Sequence, residues 1–395
     1  MSIFSELGVR TIINCKGPST RLSGGFLAPE VAAAMREAGE HCVDIAEMHA
    51  QAGLFLAGVT GAEAAMVTSG AAAGLLLGTA ACMTGLDPGR MARLPDTAGM
   101  PDEVIMVRSQ RNFYDHAVRT TGARIVEVGL PDRYAGAGVR DAEPWEIADA
   151  ITPRTAAILY VQSGSARPPL PDVVRVAHAA NIPVIVDAAG SLPPAGNLKR
   201  FIAEGADLVT FSGGKAIGGP QASGILAGRR DLIMAAILQN LDLDIYWKQW
   251  TPPPSMIDKS RLRGAPPHGI GRPCKVGKET IAGLVVALKR FLAESDQARA
   301  ERYLKITQAL QRALGTPDHA RVTVGGGLVP KLELHLAPGA PRTALELCIE
   351  LEKGDPAVFA DPSRVESGII SFSPMCCREE DAPRIAARVL PLLRY

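Results

Sequence analysis

The sequence carries no excess of charge of either sign: 42 lysines and arginines stand against 41 aspartates and glutamates, for a net charge of +1. A surface that grips a phosphate backbone needs a cationic bias, so no nucleic-acid partner is expected. The segment Met1 to Arg10 holds Glu6 and lacks both a basic start and an apolar run, so no secretory signal is expected there. Nor is there a long uninterrupted apolar run. The most apolar stretch, Ala62 to Met83, contains Glu63, Thr68, Ser69, Gly70, Gly74 and Gly78. A span would need about 20 mostly apolar residues, so this stretch reads as a strand, a turn and a buried helix, with no membrane partner. Cysteine occurs seven times, an odd number, and without a C-x-x-C spacing. That pattern fits free thiols in a reducing cytoplasm and no metal site. The adjacent Cys376 and Cys377 read as filler in a strand-to-helix turn. Also missing are a G-x-G-x-x-G dinucleotide turn and the glycine spacing of a phosphate-binding Walker loop.

What is present is a long, moderately apolar chain. Its 395 residues, 47% hydrophobic and 21% charged, suit a globular enzyme of more than one core. The expected division is 1–60 for an N-terminal arm and helices, 61–275 for a large domain, and 276–395 for a long connecting helix and a small domain. From Ala64 onward, short apolar runs alternate with helical segments: 64–68, 103–108, 124–128, 155–161, 183–187, 208–212 and 223–227 read as strands. This order predicts an α/β fold with a mostly parallel seven-stranded sheet, covered on both faces. Residues 252–273, rich in proline and glycine, read as a long functional loop. One helix is expected over 276–313, and an α+β domain after it.

Three features carry chemistry. Thr68-Ser69-Gly70-Ala71 lies between a strand and a helix, where small residues and unpaired N–H groups can receive an anion. Ser69 would equally serve as a plain helix cap. Asp187 ends the strand VIVD, at the sheet edge where α/β folds bind ligands, and can hold a pyridinium N–H. Lys215 follows the strand ending at Ser212 and the pair Gly213-Gly214, which would let a flat ligand approach. A desolvated lysine suits Schiff-base chemistry, and Ser212 can share the phosphate with Ser69. Phosphate turn, carboxylate and lysine, in this order on different strands, point to pyridoxal 5′-phosphate (PLP).

The stretch Phe211-Ser212-Gly213-Gly214-Lys215-Ala216-Ile217-Gly218-Gly219-Pro220-Gln221-Ala222-Ser223-Gly224 then becomes specific. So do Gly61-Ala62-Glu63-Ala64-Ala65, Val67 to Ala72, Asp187-Ala188-Ala189, His268-Gly269-Ile270-Gly271-Arg272-Pro273 and Lys275-Val276-Gly277-Lys278-Glu279. Together with Ile13-Asn14, Gly17 and Thr20, they resemble the SelA-like branch of fold type I PLP enzymes, the aspartate aminotransferase superfamily. That branch includes L-seryl-tRNA selenium transferase and D-glucosaminate-6-phosphate ammonia-lyase. The resemblance implies that Lys215 carries the cofactor and moves the proton at Cα, and that Asp187 meets the pyridine nitrogen. It implies that Ser69, Gly70, Ala71 and Ser212 line the phosphate cup, and that Gln162 meets the phenolic oxygen. His116 or Tyr114 stands where such enzymes stack a side chain on the ring. A homodimer or higher homo-oligomer is implied, with His268, Arg272 and Lys275 reaching the neighbouring subunit or the substrate. Thr20 and Arg21 fall where the substrate would be covered. Cys15-Lys16 and Arg21 depart from the branch, which has small residues and an apolar or aromatic residue there; a cation at Arg21 suits an anionic substrate group.

The implied reaction is α,β-elimination from a small amino acid or amino-sugar acid, giving a 2-oxo acid and ammonia. His49, His116 and His268 stand as acids for the leaving group. Racemisation, epimerisation or aldol cleavage would use the same core. Selenium transfer and a non-catalytic binding role rank below these, the first because the neutral charge and the early start of the arm do not suit tRNA.

Overall fold

The structure, a computed structural model, describes residues 2–130 and 141–394. Among the described residues the strands are β1 (Ile12–Asn14), β2 (Ala64–Thr68), β3 (Glu103–Val107), β4 (Arg124–Val128), β5 (Thr155–Val161), β6 (Val184–Asp187), β7 (Leu208–Ser212), β8 (Gly224–Gly228), β9 (Ala320–Val324), β10 (Leu332–Leu336), β11 (Ala357–Phe359) and β12 (Ile369–Phe372). The chain divides into two compact units, one of residues 27–289 and one of residues 1–26 with 290–395. The stretch 1–60, read from sequence as one arm, is thus shared between them.

The larger unit is built on a seven-stranded sheet of order β2-β8-β7-β6-β5-β3-β4. Only β8 runs against the others, pairing antiparallel with both β2 and β7. Every residue of β3, β6 and β8 is buried, as expected of mostly apolar strands covered on both faces, with the carboxylates Glu103 and Asp187 at the ends of β3 and β6. The helix Ala71–Thr84 is apolar all round and almost entirely buried, which is the condition for a helix sunk between layers rather than lying on a surface. Glycine lets it come that close. A Cβ on Gly74 would stand 2.2 Å from Thr210 Oγ1, and one on Gly78 would stand 3.2 Å from Leu208 Cδ1. Helix Arg230–Asn240 covers it further, and Gln239 Nε2 donates to Thr84 Oγ1 at 3.1 Å.

The smaller unit holds the antiparallel sheet β12-β10-β9 and the parallel pair β1-β11. Its core comprises Ile13, Leu310, Leu332, Leu347, Ile370, Phe372, Ile385 and Val389, among others. The helix Ala344–Lys353 starts in a capping box: Thr343 Oγ1 accepts the Glu346 N–H at 3.2 Å and Glu346 Oε2 accepts the Thr343 N–H at 2.8 Å.

The single helix expected over 276–313 is two, Lys278–Ala293 and Asp296–Leu314. Ser295 adopts an extended backbone and its hydroxyl accepts the Ala298 N–H at 3.1 Å, which starts a new helix. The buried Arg299 seals the break by donating to the carbonyls of Phe291 at 2.5 Å and Glu294 at 3.0 Å. Among the described residues no helix is long and apolar enough to cross a membrane.

Candidate active site

The sheet directions bring the predicted residues of the larger unit to one edge. The C-terminal ends of β2, β3, β5, β6 and β7 point the same way, and β8 begins there. Register makes this concrete. Thr68 and Ser212 both pair with Gly224, and Asp187 pairs with Val161 on one side and Thr210 on the other. The Gln162 N–H donates to the Asp187 carbonyl at 2.9 Å. Ser69, Gly70, Ala71, Gln162, Asp187, Ser212 and Lys215 therefore follow or end neighbouring strands along this edge.

The turn after β2 is shaped for an anion. Gly70, not Ser69, is the N-cap of helix Ala71–Thr84, and no side chain caps that helix. The plain-cap alternative for Ser69 is thereby removed. Gly70 sits at φ +133°, and nothing lies within 4 Å of where its Cβ would be. The Thr68 hydroxyl holds the turn by donating to the Gly70 carbonyl at 2.9 Å. First-turn N–H groups at the positive end of a helix are left to an external acceptor. Gly224 lets the turn and the sheet meet: a Cβ there would be 2.6 Å from the Gly70 carbonyl carbon and 2.9 Å from the Ala71 nitrogen.

Asp187 is buried, with Oδ1 accepting the Ala189 N–H at 3.0 Å. Burial pushes its pKa up, against the pull of the Ala189 N–H and of the positive Lys215 nearby. A buried carboxylate so placed gains from a cationic N–H brought to it. An uncapped helix start, a buried carboxylate and a lysine on the next turn fit PLP at its phosphate, its ring nitrogen and its aldehyde respectively.

The glycines before Lys215 are tightly packed in the direction a side chain would take. A Cβ on Gly213 would meet Ser223 Oγ at 2.3 Å and Leu284 Cδ1 at 2.5 Å, and one on Gly214 would meet the Gln221 carbonyl oxygen at 2.6 Å. They let the lysine turn fold closely onto its own chain.

The remaining candidates are more dispersed. His116 is exposed on the short helix Asp115–Arg119 after β3, its Nδ1 3.3 Å from Arg119. Tyr114 beside it is 58% exposed, and Phe113 is 99% exposed. Below them the buried Asp115 binds Arg111 at 2.5 Å and Arg119 at 3.3 Å, and Arg111 also pairs with Glu127 of β4. His49 is buried, and burial lowers its pKa to about 4. It is neutral at physiological pH and is removed as an acid for the leaving group. His268 Nε2 accepts the Leu243 N–H at 3.0 Å. Arg272 pairs with Asp242 of its own chain at 2.6 Å, and Lys275 is exposed. The loop carrying them is moored: Asn240 Nδ2 donates to the carbonyls of Gly271 at 2.9 Å and Cys274 at 3.2 Å, and a Cβ on Gly271 would strike Leu77 Cδ2 at 2.3 Å. In the smaller unit, Thr20 opens a short helical turn and Arg21 pairs with Glu352 at 3.4 Å while lying 5.3 Å from the Phe359 ring centre.

Three residues here escaped the sequence reading. Cys274 hydrogen-bonds Ser69, which offsets the upward push of burial on its thiol. Gln110, also buried, ties the ends of β3 and β5 together, accepting the Val161 N–H at 2.9 Å and donating to the Arg167 carbonyl at 3.1 Å. Gly224 stood in the quoted motif without a role. A polar amide three residues after a mostly apolar strand was the available signal for Gln110; nothing local marks the other two.

Comparison with known proteins agrees with this arrangement. The family model described as SelA, L-seryl-tRNA selenium transferase, matches residues 114–243. A 5′-C-glycyluridine monooxygenase-decarboxylase of a Streptomyces species is 31% identical, over 99% of this chain and 92% of its own. D-glucosaminate-6-phosphate ammonia lyase of Salmonella typhimurium is 30% identical, over 100% of this chain and 98% of its own. The chain belongs to the SelA-like family of PLP-dependent enzymes. A solved structure of D-glucosaminate-6-phosphate ammonia-lyase superposes with a TM-score of 0.80 at 28% identity, covering 100% of this chain and 98% of that one. The fold type I architecture, the PLP cofactor and the ammonia-lyase reading all fit these SelA-like relatives.

Proposed function

We propose that this chain is a PLP-dependent lyase that removes a β-hydroxyl and ammonia from a small amino acid or amino-sugar acid, leaving a 2-oxo acid. The observation that supports it most is the convergence of the uncapped Gly70 turn, buried Asp187 and Lys215 on one sheet edge, in a chain matched along its whole length by an ammonia lyase. Bound PLP supplies an electron sink for the pair of electrons released at Cα.

The chain's own groups do the rest. The first N–H groups of helix Ala71–Thr84, with the hydroxyls of Ser69 and Ser212, hold the phosphate dianion. Asp187 keeps a proton on the ring nitrogen, and its burial strengthens that pairing. The Lys215 amine takes the Cα proton and holds it on one face. Gln162, whose main-chain N–H donates to the Asp187 carbonyl, would meet the phenolic oxygen of bound PLP. His116 remains as the leaving-group acid, since His49 is held neutral in the core and His268 Nε2 is engaged by a backbone N–H. Lys275 is an exposed cation of the moored loop, and with Thr20 and Arg21 it is assigned to the substrate or to a second copy in a homodimer.

The test is a screen of hydroxy-amino acids and amino-sugar acids of both configurations, with and without oxygen. Elimination gives equal 2-oxo acid and ammonia in both atmospheres. The monooxygenase-decarboxylase relative favours a second reading, under which product appears only with oxygen uptake and carbon dioxide release. Deuterium exchange at Cα without 2-oxo acid would replace elimination by racemisation.

A further inference from the structure

The smaller unit holds two thiols for which the reaction has no use. Cys15 follows β1 and is fully buried, and Cys377 is partly exposed. Their sulfurs lie 3.4 Å apart although 362 positions separate them in sequence. Both are held by main chain. The Cys15 N–H donates to the Phe359 carbonyl at 2.8 Å, and its carbonyl accepts the Ser373 N–H at 2.7 Å. The Cys377 thiol reaches the carbonyls of Asn14 at 3.2 Å and Ser373 at 3.4 Å. A disulfide needs the sulfurs to close by about 1.4 Å, to ~2.0 Å. Cys377 also lines a small cavity with Ile306, Leu310, Phe372 and Arg378.

We propose that Cys15 and Cys377 are an oxidative modification site, at which a peroxide joins them in a reversible disulfide. The Cys377 sulfur attacks the O–O bond and becomes a sulfenic acid as one water leaves. The Cys15 sulfur then displaces the second water and the S–S bond forms. Two thiols and one hydrogen peroxide become one disulfide and two waters. The order follows from the surroundings: the neighbouring Cys377 and burial hold the Cys15 thiol well above its ordinary pKa, so the partly exposed sulfur meets the oxidant first.

The bond would brace a particular loop. Asn14 Nδ2 donates to the carbonyls of Gly17 and Gly24, both at 3.0 Å, and Asn14 Oδ1 accepts the N–H groups of Lys16 at 3.1 Å and Gly17 at 3.2 Å. The segment bearing Thr20 and Arg21 thus hangs from the residue next to Cys15. Tethering Cys15 to residue 377 restrains that anchor.

The experiment uses the PLP-loaded protein and hydrogen peroxide at equal concentration. Thiols counted after denaturation fall from seven to five per chain. Peptide mapping joins the fragments containing Cys15 and Cys377, dithiothreitol restores seven, and amide exchange of residues 16–24 slows in the oxidised form. Cys377→Ser prevents the loss, Cys15→Ser stops at a Cys377 sulfenic acid with no joined fragments, and Cys42→Ser, which removes an exposed thiol, leaves the disulfide forming. Retention of all seven thiols, a bond through Cys42, a sulfinic acid at Cys377 with Cys15 untouched, or unchanged exchange in 16–24 would each overturn the proposal.

Discussion

Gly224→Ala tests the phosphate seat without touching a polar group. The new methyl carbon would lie 2.6 Å from the Gly70 carbonyl carbon, 2.7 Å from Thr68 Oγ1 and 2.9 Å from the Ala71 nitrogen, against 3.4 Å for an ordinary contact. Something must move by about 0.8 Å. Residue 224 is paired to Thr68 on one side and Ser212 on the other, so β8 is held and the turn 69–71 must give way. Overpacking of this kind costs about 1–3 kcal/mol of stability. The larger effect falls on the ligand. Moving the first N–H groups of the helix by ~0.8 Å stretches a ~2.9 Å hydrogen bond beyond its useful range. Losing one such bond to a charged group costs about 1.5–3 kcal/mol, or roughly 10- to 100-fold in affinity. The assay is titration of the apo variant with PLP, followed by the cofactor's absorbance, with a urea melt in parallel. If stability falls by the expected amount while PLP affinity is unchanged, the turn after β2 is not the phosphate seat and the reasoning fails.

Lys215→Ala removes the half-buried amine that acts on Asp187. It should lower turnover by about 10²–10⁴-fold and abolish the shifted absorbance of protein-linked cofactor; a retained band would point to another lysine. For His49, burial lowers the imidazole pKa from 6.5 to about 4, so the unfolded chain binds the proton first and stability present above pH 6.5 is lost as pH falls towards 4. The loss is about 3 kcal/mol, and His49→Gln should flatten that part of the urea-stability profile; an unchanged slope would refute the assignment. Arg299→Ala removes the buried donor of the Phe291 and Glu294 carbonyls, and thermal or urea melts should report about 3–5 kcal/mol of destabilisation.

Much of this protein was legible before any coordinates. The mostly apolar segments at 64–68, 103–108, 155–161 and 208–212 were marked by their composition, because strands buried on both faces are largely apolar. Asp187 and Lys215 could be read at strand ends for the same reason, since such ends are where a parallel sheet presents polar groups. Local chemistry also determined the capping box at Thr343 and Glu346.

Other features depended on pairings between distant residues, which composition does not encode. The roles of Gly213, Gly214 and Gly224 follow from Gln221, Ser223, Leu284 and Gly70, groups that only the folded chain brings within 3 Å. The break at Ser295 competes with a helical pattern on both sides, and the buried Arg299 decides it. Arg272, read from sequence as reaching a neighbour or the substrate, pairs with Asp242 of its own chain, 30 positions away. Cys15 and Cys377 stand at opposite ends of the chain and meet where the Ser373 N–H donates to the Cys15 carbonyl. Short-range periodicity thus selects elements and their buried faces, whereas steric exclusion and charge pairing across the fold determine which of their residues meet.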